Sequence, residues 1–231
     1  QKYAGRALLI TTEACPIHCR YCFRRHFPYS NQLASKQNWS KAITALKVKD
    51  DITEVILSGG DPLSLSNRRL AKLISHIESL VTVTTLRIHT RFPIILPERI
   101  DTELLELLSR TSLKTVLVVH SNHANEINEA VSSSMQKLTS SGTHLLNQSV
   151  ILKGINDNVH QLEELSRSLF RCGVLPYYLN LLDPVEGSAH FNVDAKHAEQ
   201  LIAELRHRLP GYLVPRLVRE VPGELSKKII A

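Results

Sequence analysis

Short β-branched and apolar runs alternate with stretches of helical period along most of the chain. The runs predict strands at Ala7–Thr12, Glu54–Leu57, Thr84–His89, Thr115–Val119, His144–Leu152 and Leu175–Leu181. Between and after them the spacing predicts helices at Ser40–Leu46, Arg69–Leu80, Thr102–Ser109, Ala124–Thr139, Val159–Phe170 and Asp194–Arg208. In the second of these, Leu70, Leu73, Ile74, Ile77 and Leu80 recur three and four apart and share one helix face. Asp101 and Asp194 stand where a helix N-cap belongs, and Gly142 and Gly173 where a C-terminal glycine belongs. A further strand is predicted within Tyr212–Val218.

Alternation of this kind means an α/β fold with a parallel sheet. An open doubly wound sheet and a β/α barrel both satisfy it. The polar residues favour the barrel. Glu13 and Cys15, Ser58 to Asp61, Thr90 and Arg91, His120 and Asn122, and Asp183 each follow a strand, and barrel enzymes keep their chemistry at the C-terminal ends of strands. Six strand–helix units rather than eight predict a partial (β/α)6 TIM-like barrel, open on one side, as one domain over residues 1–231.

Composition narrows the class. A chain of 231 residues with 43% hydrophobic positions can bury a sizeable core, which excludes a disordered protein. Lys and Arg number 28 against 22 acids, a net charge of +6. The basic residues are scattered, as at Arg68-Arg69 and Lys227-Lys228, so a solvated surface with some anion sites is expected rather than a nucleic-acid face. No apolar run approaches the ~20 residues of a membrane span, and no secretory signal is visible, so a cytoplasmic protein is expected. No Met opens the chain, which leaves open whether it is a piece of a longer one.

Three of the four cysteines, Cys15, Cys19 and Cys22, lie on one loop after the first strand. This is not the spread pairing of a disulfide framework. Three thiolates on a loop can hold three corners of a metal centre. Zinc completed by His18 or His26 is one reading, although zinc sites usually add a second, distant ligand pair that this chain lacks. A [4Fe–4S] cluster is the other. It normally takes four thiolates, so three leave one iron to bind a small molecule. Cys172, far away beside Gly173, reads as a small core residue.

The C-x3-C-x2-C spacing, with Tyr21 before the last cysteine, resembles the radical S-adenosylmethionine (SAM) superfamily. So does the turn Ser58-Gly59-Gly60-Asp61 after the second strand, the superfamily's contact to the methionine amine of SAM. The resemblance implies the partial barrel, a cluster on Cys15, Cys19 and Cys22, and one-electron cleavage of SAM to a radical that takes a hydrogen atom from substrate. It also places His120 and Gln148 near the SAM nucleoside.

Longer stretches widen it: residues 12–27, Leu57-Ser-Gly-Gly-Asp-Pro62, Arg87-Ile-His-Thr-Arg-Phe-Pro93, Asn147-Gln-Ser-Val-Ile-Leu152, Gly154-Ile-Asn-Asp157, Pro176-Tyr-Tyr178 and Gly211-Tyr-Leu-Val-Pro215. These resemble the lysine 2,3-aminomutase family, and most of all its short branch, which supplies (R)-β-lysine for translation elongation factor P. The resemblance implies pyridoxal phosphate (PLP) as a further cofactor, held by a lysine in a C-terminal segment, 219–231. Spacing from Pro222-Gly223 selects Lys227, with Lys228 as the fallback. Arg6 matches the anchor of the PLP phosphate. Arg24 matches the residue that grips the lysine carboxylate. Asp183 and Glu220 match the acids that hold the ε-ammonium, Glu220 standing where the lysine enzymes usually have Asp.

The implied partners are free lysine, an electron donor, and, functionally, elongation factor P with its lysyl-ligating enzyme. Two departures stand out: Glu224-Leu225-Ser226 replaces a Gly-rich run, and the chain ends just past Lys228. The second favours the short branch and leaves a homo-oligomer open. The competing readings are an aminomutase for another amino acid, such as glutamate, and a zinc-stabilised binding module without catalysis.

Overall fold

The computed structural model describes residues 4–25, 39–221 and 223–231. His26, the alternative zinc ligand, and Pro222 lie outside them, as does Phe27 at the end of the stretch 12–27. The elements follow the expected order: β1 Arg6–Thr12, α1 Ser40–Lys47, β2 Glu54–Gly59, α2 Asn67–Glu78, β3 Thr85–His89, a one-turn α3 Phe92–Ile95, α4 Thr102–Arg110 and β4 Lys114–Val119. Then come α5 Glu129–Ser140, β5 His144–Val150, α6 Val159–Arg171, β6 Val174–Asn180, α7 Ala195–Arg208, β7 Arg216–Arg219 and β8 Lys228–Ile229.

One sheet runs β1 to β8 in sequence order. The first seven strands pair in parallel, and β8 turns back antiparallel on β7. Six strand–helix units are therefore present, as expected, and two short strands complete the sheet. β1 and β8 are its edges.

Helix ends obey local chemistry. The Asp101 carboxylate accepts from Leu104 N–H at 2.7 Å and that of Asp194 from Lys196 N–H at 2.9 Å, each satisfying an orphan donor of the first turn. Gly173, after α6, has φ +78°, in the left-handed region that glycine enters without strain. One predicted helix divides. Ala124–Thr139 is a single turn, Ala124–Glu126, followed by α5. The Glu126 carboxylate turns back onto the N–H groups of Asn122 and His123, and Asn128 opens a new helix by capping Val131 N–H.

Each strand shows two faces. Leu9, Val55, Leu57, Leu86, Ile88 and Leu117 pack into one cluster with Leu70, Leu73, Leu104 and Leu138 of the helices. Burying each such side chain stabilises the fold by about 1.5–3 kcal/mol. Cys172 is in that cluster, as expected. A second cluster, with Leu179, Leu201, Ile202, Leu205 and Leu217, supports β6 and β7. The alternate positions carry Arg6, Glu54, Arg87, His89 and Gln148. Gln148 Nε2 on β5 meets His89 Nδ1 on β3 at 3.1 Å, past the intervening β4. A contact that skips a strand is possible only on the concave side of a curved sheet, so this polar face is the barrel interior.

Candidate radical SAM active site

The cysteine loop leaves β1 and is seated on the end of β2. Gly60 N–H donates to Thr12 C=O at 2.7 Å, and Asp61 N–H to Ala14 C=O at 2.8 Å. A Cβ on Gly60 would stand 2.3 Å from Ala14 O and 2.5 Å from Glu13 O; one on Gly59 would stand 2.4 Å from Thr12 O. The two glycines thus let the cysteine loop approach β2, rather than merely opening space for a ligand. Asp61 is 2% exposed. Its carboxylate accepts from Leu63 N–H at 3.0 Å, the Thr90 hydroxyl at 2.7 Å and Arg91 N–H at 2.7 Å. Burial pushes its pKa up to about 6 against these three bonds. These bonds lock the ends of β2 and β3 together at the turn where the SAM amine is expected.

Cys15, Cys19 and Cys22 are free thiols, all half-buried. Among the described residues no three His, Cys, Asp or Glu side chains are gathered as a ready metal cage. The thiols are nonetheless close enough to interact. Burial raises the Cys15 pKa, and Asp61, Cys19 and Cys22 add to it. Three soft donors on one loop fit a thiolate-bound cluster in kind and number. Cys19 Sγ accepts from Arg91 Nη1 at 3.0 Å. Tyr21 stacks on His120 at 6.0 Å between ring centroids and accepts from the Asn122 side chain.

Arg24, His120, Gln148 and Lys227 gather at this end of the interior, and Arg6 does not. Arg24 Nη1 donates to Ser58 Oγ at 2.7 Å and to Gly59 C=O at 3.1 Å, which aims its guanidinium across the strand ends. His120 and Gln148 line the same face. Burial, then the positive charges of Arg87, Arg24 and Lys227, push the His89 pKa down to about 3; burial, then Arg91 and Lys227, do the same to His120. Both rings are neutral at pH 7. His89 Nε2 is buried without a protein partner, an orphan donor or acceptor aimed into the interior that a bound molecule would satisfy.

Lys227 reaches this space because β8 pairs with β7, Val218 opposite Ile229 and Arg219 opposite Lys228. Its Nζ donates to Asn180 Oδ1 at 2.7 Å, lies 3.5 Å from Glu220 Oε2 and sits 5.6 Å from the Tyr178 ring centre. Lys228, the fallback, is exposed in β8. Asp183 is half-buried, in the segment that follows β6. The exception is Arg6. It lies at the start of β1, where its Nε pairs with Glu54 at 3.3 Å, and Glu54 also accepts from Arg87 at 2.6 Å. That layer is the floor of the interior, several residues below the loops.

Sequence reasoning named Thr90, Arg91 and Asn122 only as strand-end polar residues. It missed Glu126, Asn180, His89 and Glu54. The strand register could have flagged His89, which shares a face with Arg87; nothing in the sequence marks Glu126.

The geometry has counterparts. The model of the radical SAM superfamily matches residues 9–166. The L-lysine 2,3-aminomutase of Haemophilus influenzae is 46% identical over 230 residues, all of this chain and 68% of that protein. That of Escherichia coli is 46% identical over 98% of this chain and 66% of its own length, and that of Clostridium subterminale 36% identical over 96% and 53%. The chain therefore spans about two thirds of its most similar relatives here and about half of the clostridial one. A radical SAM methyltransferase from Sphaerobacter thermophilus shares the fold, with a TM-score of 0.65 at 14% identity over 93% of this chain and 66% of that one. Among the described residues no helix is long and apolar enough to cross a membrane. With its thiol loop, glycine seat and interior lysine, the chain belongs to the radical SAM superfamily and, within it, to the lysine 2,3-aminomutases, isomerases that use a [4Fe–4S] cluster, SAM and PLP.

Proposed function

We propose that this chain isomerises (S)-α-lysine to (R)-β-lysine. The observation that carries the reading is Lys227. A lysine just before the last strand enters the barrel mouth beside an acid, Glu220, and its charge is felt by His89 at the end of β3 and His120 just after β4. Cys15, Cys19 and Cys22 would hold the cluster, and Lys227 would hold PLP. Together the cofactors supply a hydrogen-abstracting radical and a π-system through which an amino group can migrate.

The chain's own residues bind and orient. Arg24, anchored on Ser58 and Gly59, would grip the substrate carboxylate with a planar fork. Asp183 and Glu220 would hold the ε-ammonium, because a buried cation needs a partner. Glu220 pairs with Lys227 in this structure; with Lys227 holding PLP, that acid would be left to face the substrate ammonium. Arg6, on the floor layer, would anchor the PLP phosphate, with Glu54 holding it in place. Neutral His120 and Gln148 would line the nucleoside side of SAM, with the Ser58–Asp61 turn near its methionine end.

The product's use in modifying elongation factor P, the cytoplasmic location, the lysyl-ligating enzyme downstream and an external electron donor belong to this proposal. They rest on the 46% identity to the two bacterial lysine aminomutases. One anaerobic assay tests the core of it. Protein reconstituted with iron and sulfide receives SAM, PLP, a reductant and (S)-lysine, and products are read by mass spectrometry. β-Lysine with 5′-deoxyadenosine is expected. 5′-Deoxyadenosine without β-lysine, recovered with glutamate, moves the substrate to another amino acid. Zinc without sulfide in the isolated protein rejects the radical reading.

A further inference from the structure

Arg91 joins three parts of the barrel mouth. Its main-chain N–H and the Thr90 hydroxyl both end on the Asp61 carboxylate, which fixes where the side chain starts. From there Nε donates to His120 C=O at 3.1 Å, Nη2 to Glu126 Oε2 at 3.0 Å, and Nη1 to Cys19 Sγ at 3.0 Å and Tyr21 OH at 3.3 Å. Glu126 is itself held by the N–H groups of Asn122 and His123. Every nitrogen of the guanidinium thus has a partner that is fixed by backbone or packing, and the side chain is only 14% exposed. A fork held at all three nitrogens keeps its aim on the sulfur.

We propose that Arg91 is a positioning residue for the iron–sulfur cluster: it holds the Cys19 sulfur and raises the electron affinity of the cluster through that sulfur. The inference rests on the reading above, that Cys15, Cys19 and Cys22 carry such a cluster. Reduction adds one electron, from an external one-electron donor, to a group whose negative charge spreads onto its thiolate sulfurs. Hydrogen bonds to sulfur and nearby net charge set the potentials of these clusters. A fixed cation donating to one sulfur favours the more negative, reduced form, and partial burial weakens solvent screening of that effect. Glu126 opposes it by neutralising part of the same charge. Lysine is a poor substitute, because a point charge on a flexible stem cannot serve Cys19, Tyr21, His120 and Glu126 together.

The test compares the natural protein with Arg91→Met, Arg91→Lys and Glu126→Gln, each reconstituted anaerobically with iron and sulfide. Iron and sulfide are counted, and the midpoint of the cluster is read by dithionite titration followed by electron paramagnetic resonance, without SAM, PLP or lysine. Arg91→Met is expected to fill but to show about a tenfold lower reduced-to-oxidised ratio at the natural midpoint, which is about 59 mV for one electron. Arg91→Lys should recover part of the shift. Glu126→Gln should move the midpoint the other way.

Filled clusters with the natural midpoint in both Arg91→Met and Glu126→Gln overturn the inference. So does a shift seen only after SAM is added, which would make Arg91 a SAM contact. If Arg91→Met takes up no cluster, Glu126→Gln decides alone: a positive shift supports the inference and an unmoved midpoint rejects it. A natural protein that binds no cluster at all sinks the functional reading instead.

Discussion

The two faces of one sheet are built on opposite rules. On the helix side, Val55, Leu57, Leu86, Ile88 and Leu117 are almost fully buried in one apolar cluster. On the interior side, the sheet and the strand ends present Glu54, Arg87, His89, His120 and Gln148, tied by hydrogen bonds and ion pairs. A period of two in side-chain direction keeps the faces separate. Stability is therefore concentrated on one side and chemistry on the other, and substitutions on the two sides should fail in different ways.

The sharpest contrast is Lys227→Ala. It should abolish β-lysine formation and the visible absorbance of bound PLP, while stability falls by no more than about 1 kcal/mol, since a half-exposed ion pair with Glu220 is worth little. Absorbance together with a thermal melt checks both halves, and PLP retained by the variant would transfer the role to Lys228. Leu117→Ala, on the helix side of β4, should do the reverse. Removing a side chain that is 1% exposed should lower stability by about 2–5 kcal/mol in a urea titration, with turnover per folded molecule preserved. Lost turnover in a fully folded variant would break the separation of faces.

Acid should act through the interior. Burial depresses His89 and His120 to about 3 from an ordinary 6.5. Between those values the unfolded chain binds protons that the folded chain does not, so their contribution is complete above pH 6.5 and is lost as pH falls toward 3. Asp61, raised to about 6 from 3.8, works the other way: the folded chain takes up its proton first, and this favours folding as pH falls through 6. Two groups against one leave a net loss on the order of 4 kcal/mol between pH 7 and 4. Urea titrations across that range should show it, and His120→Gln should flatten the slope; an unchanged slope would mean that His120 protonates without consequence. The smallest effect belongs to the helix surface. Arg110 and Glu106 form an exposed pair on α4, and Arg110→Ala should change stability by less than about 0.5 kcal/mol.

The strand–helix rhythm was readable because buried apolar runs and amphipathic helices leave direct traces, as did the caps Asp101 and Asp194. The thiol loop was readable because its spacing is specific. Less so were the faces of β5. Asn147, Gln148 and Ser149 are all polar, yet only Gln148 points inward. Asn147 and Ser149 face the helices and bond to Ser121, a buried polar knot that binary patterning cannot tell from a solvated strand. The Gly59-Gly60 pair was visible, but its reason was not. A close approach between loop and strand depends on tertiary contact, which no local pattern records. The same holds for Arg91, whose partners come from segments as far apart in sequence as Cys19 and Glu126.

The antiparallel return of β8 has a consequence for the order of assembly. Along the chain the thiols come first and the interior lysine comes nearly last. Among the described residues the strand just after Lys227 pairs with β7 alone, and β7 joins it to β6. A short strand held by a single neighbour opens more easily than the centre of a sheet. The cysteine loop can be seated as soon as β2 is beside β1, while the lysine finds Asn180 and Glu220 only when β6, β7 and β8 are paired. Of the two proposed cofactor sites, the one for the cluster therefore depends on the pairing of β1 with β2, and the one for PLP on the pairing of β6, β7 and β8.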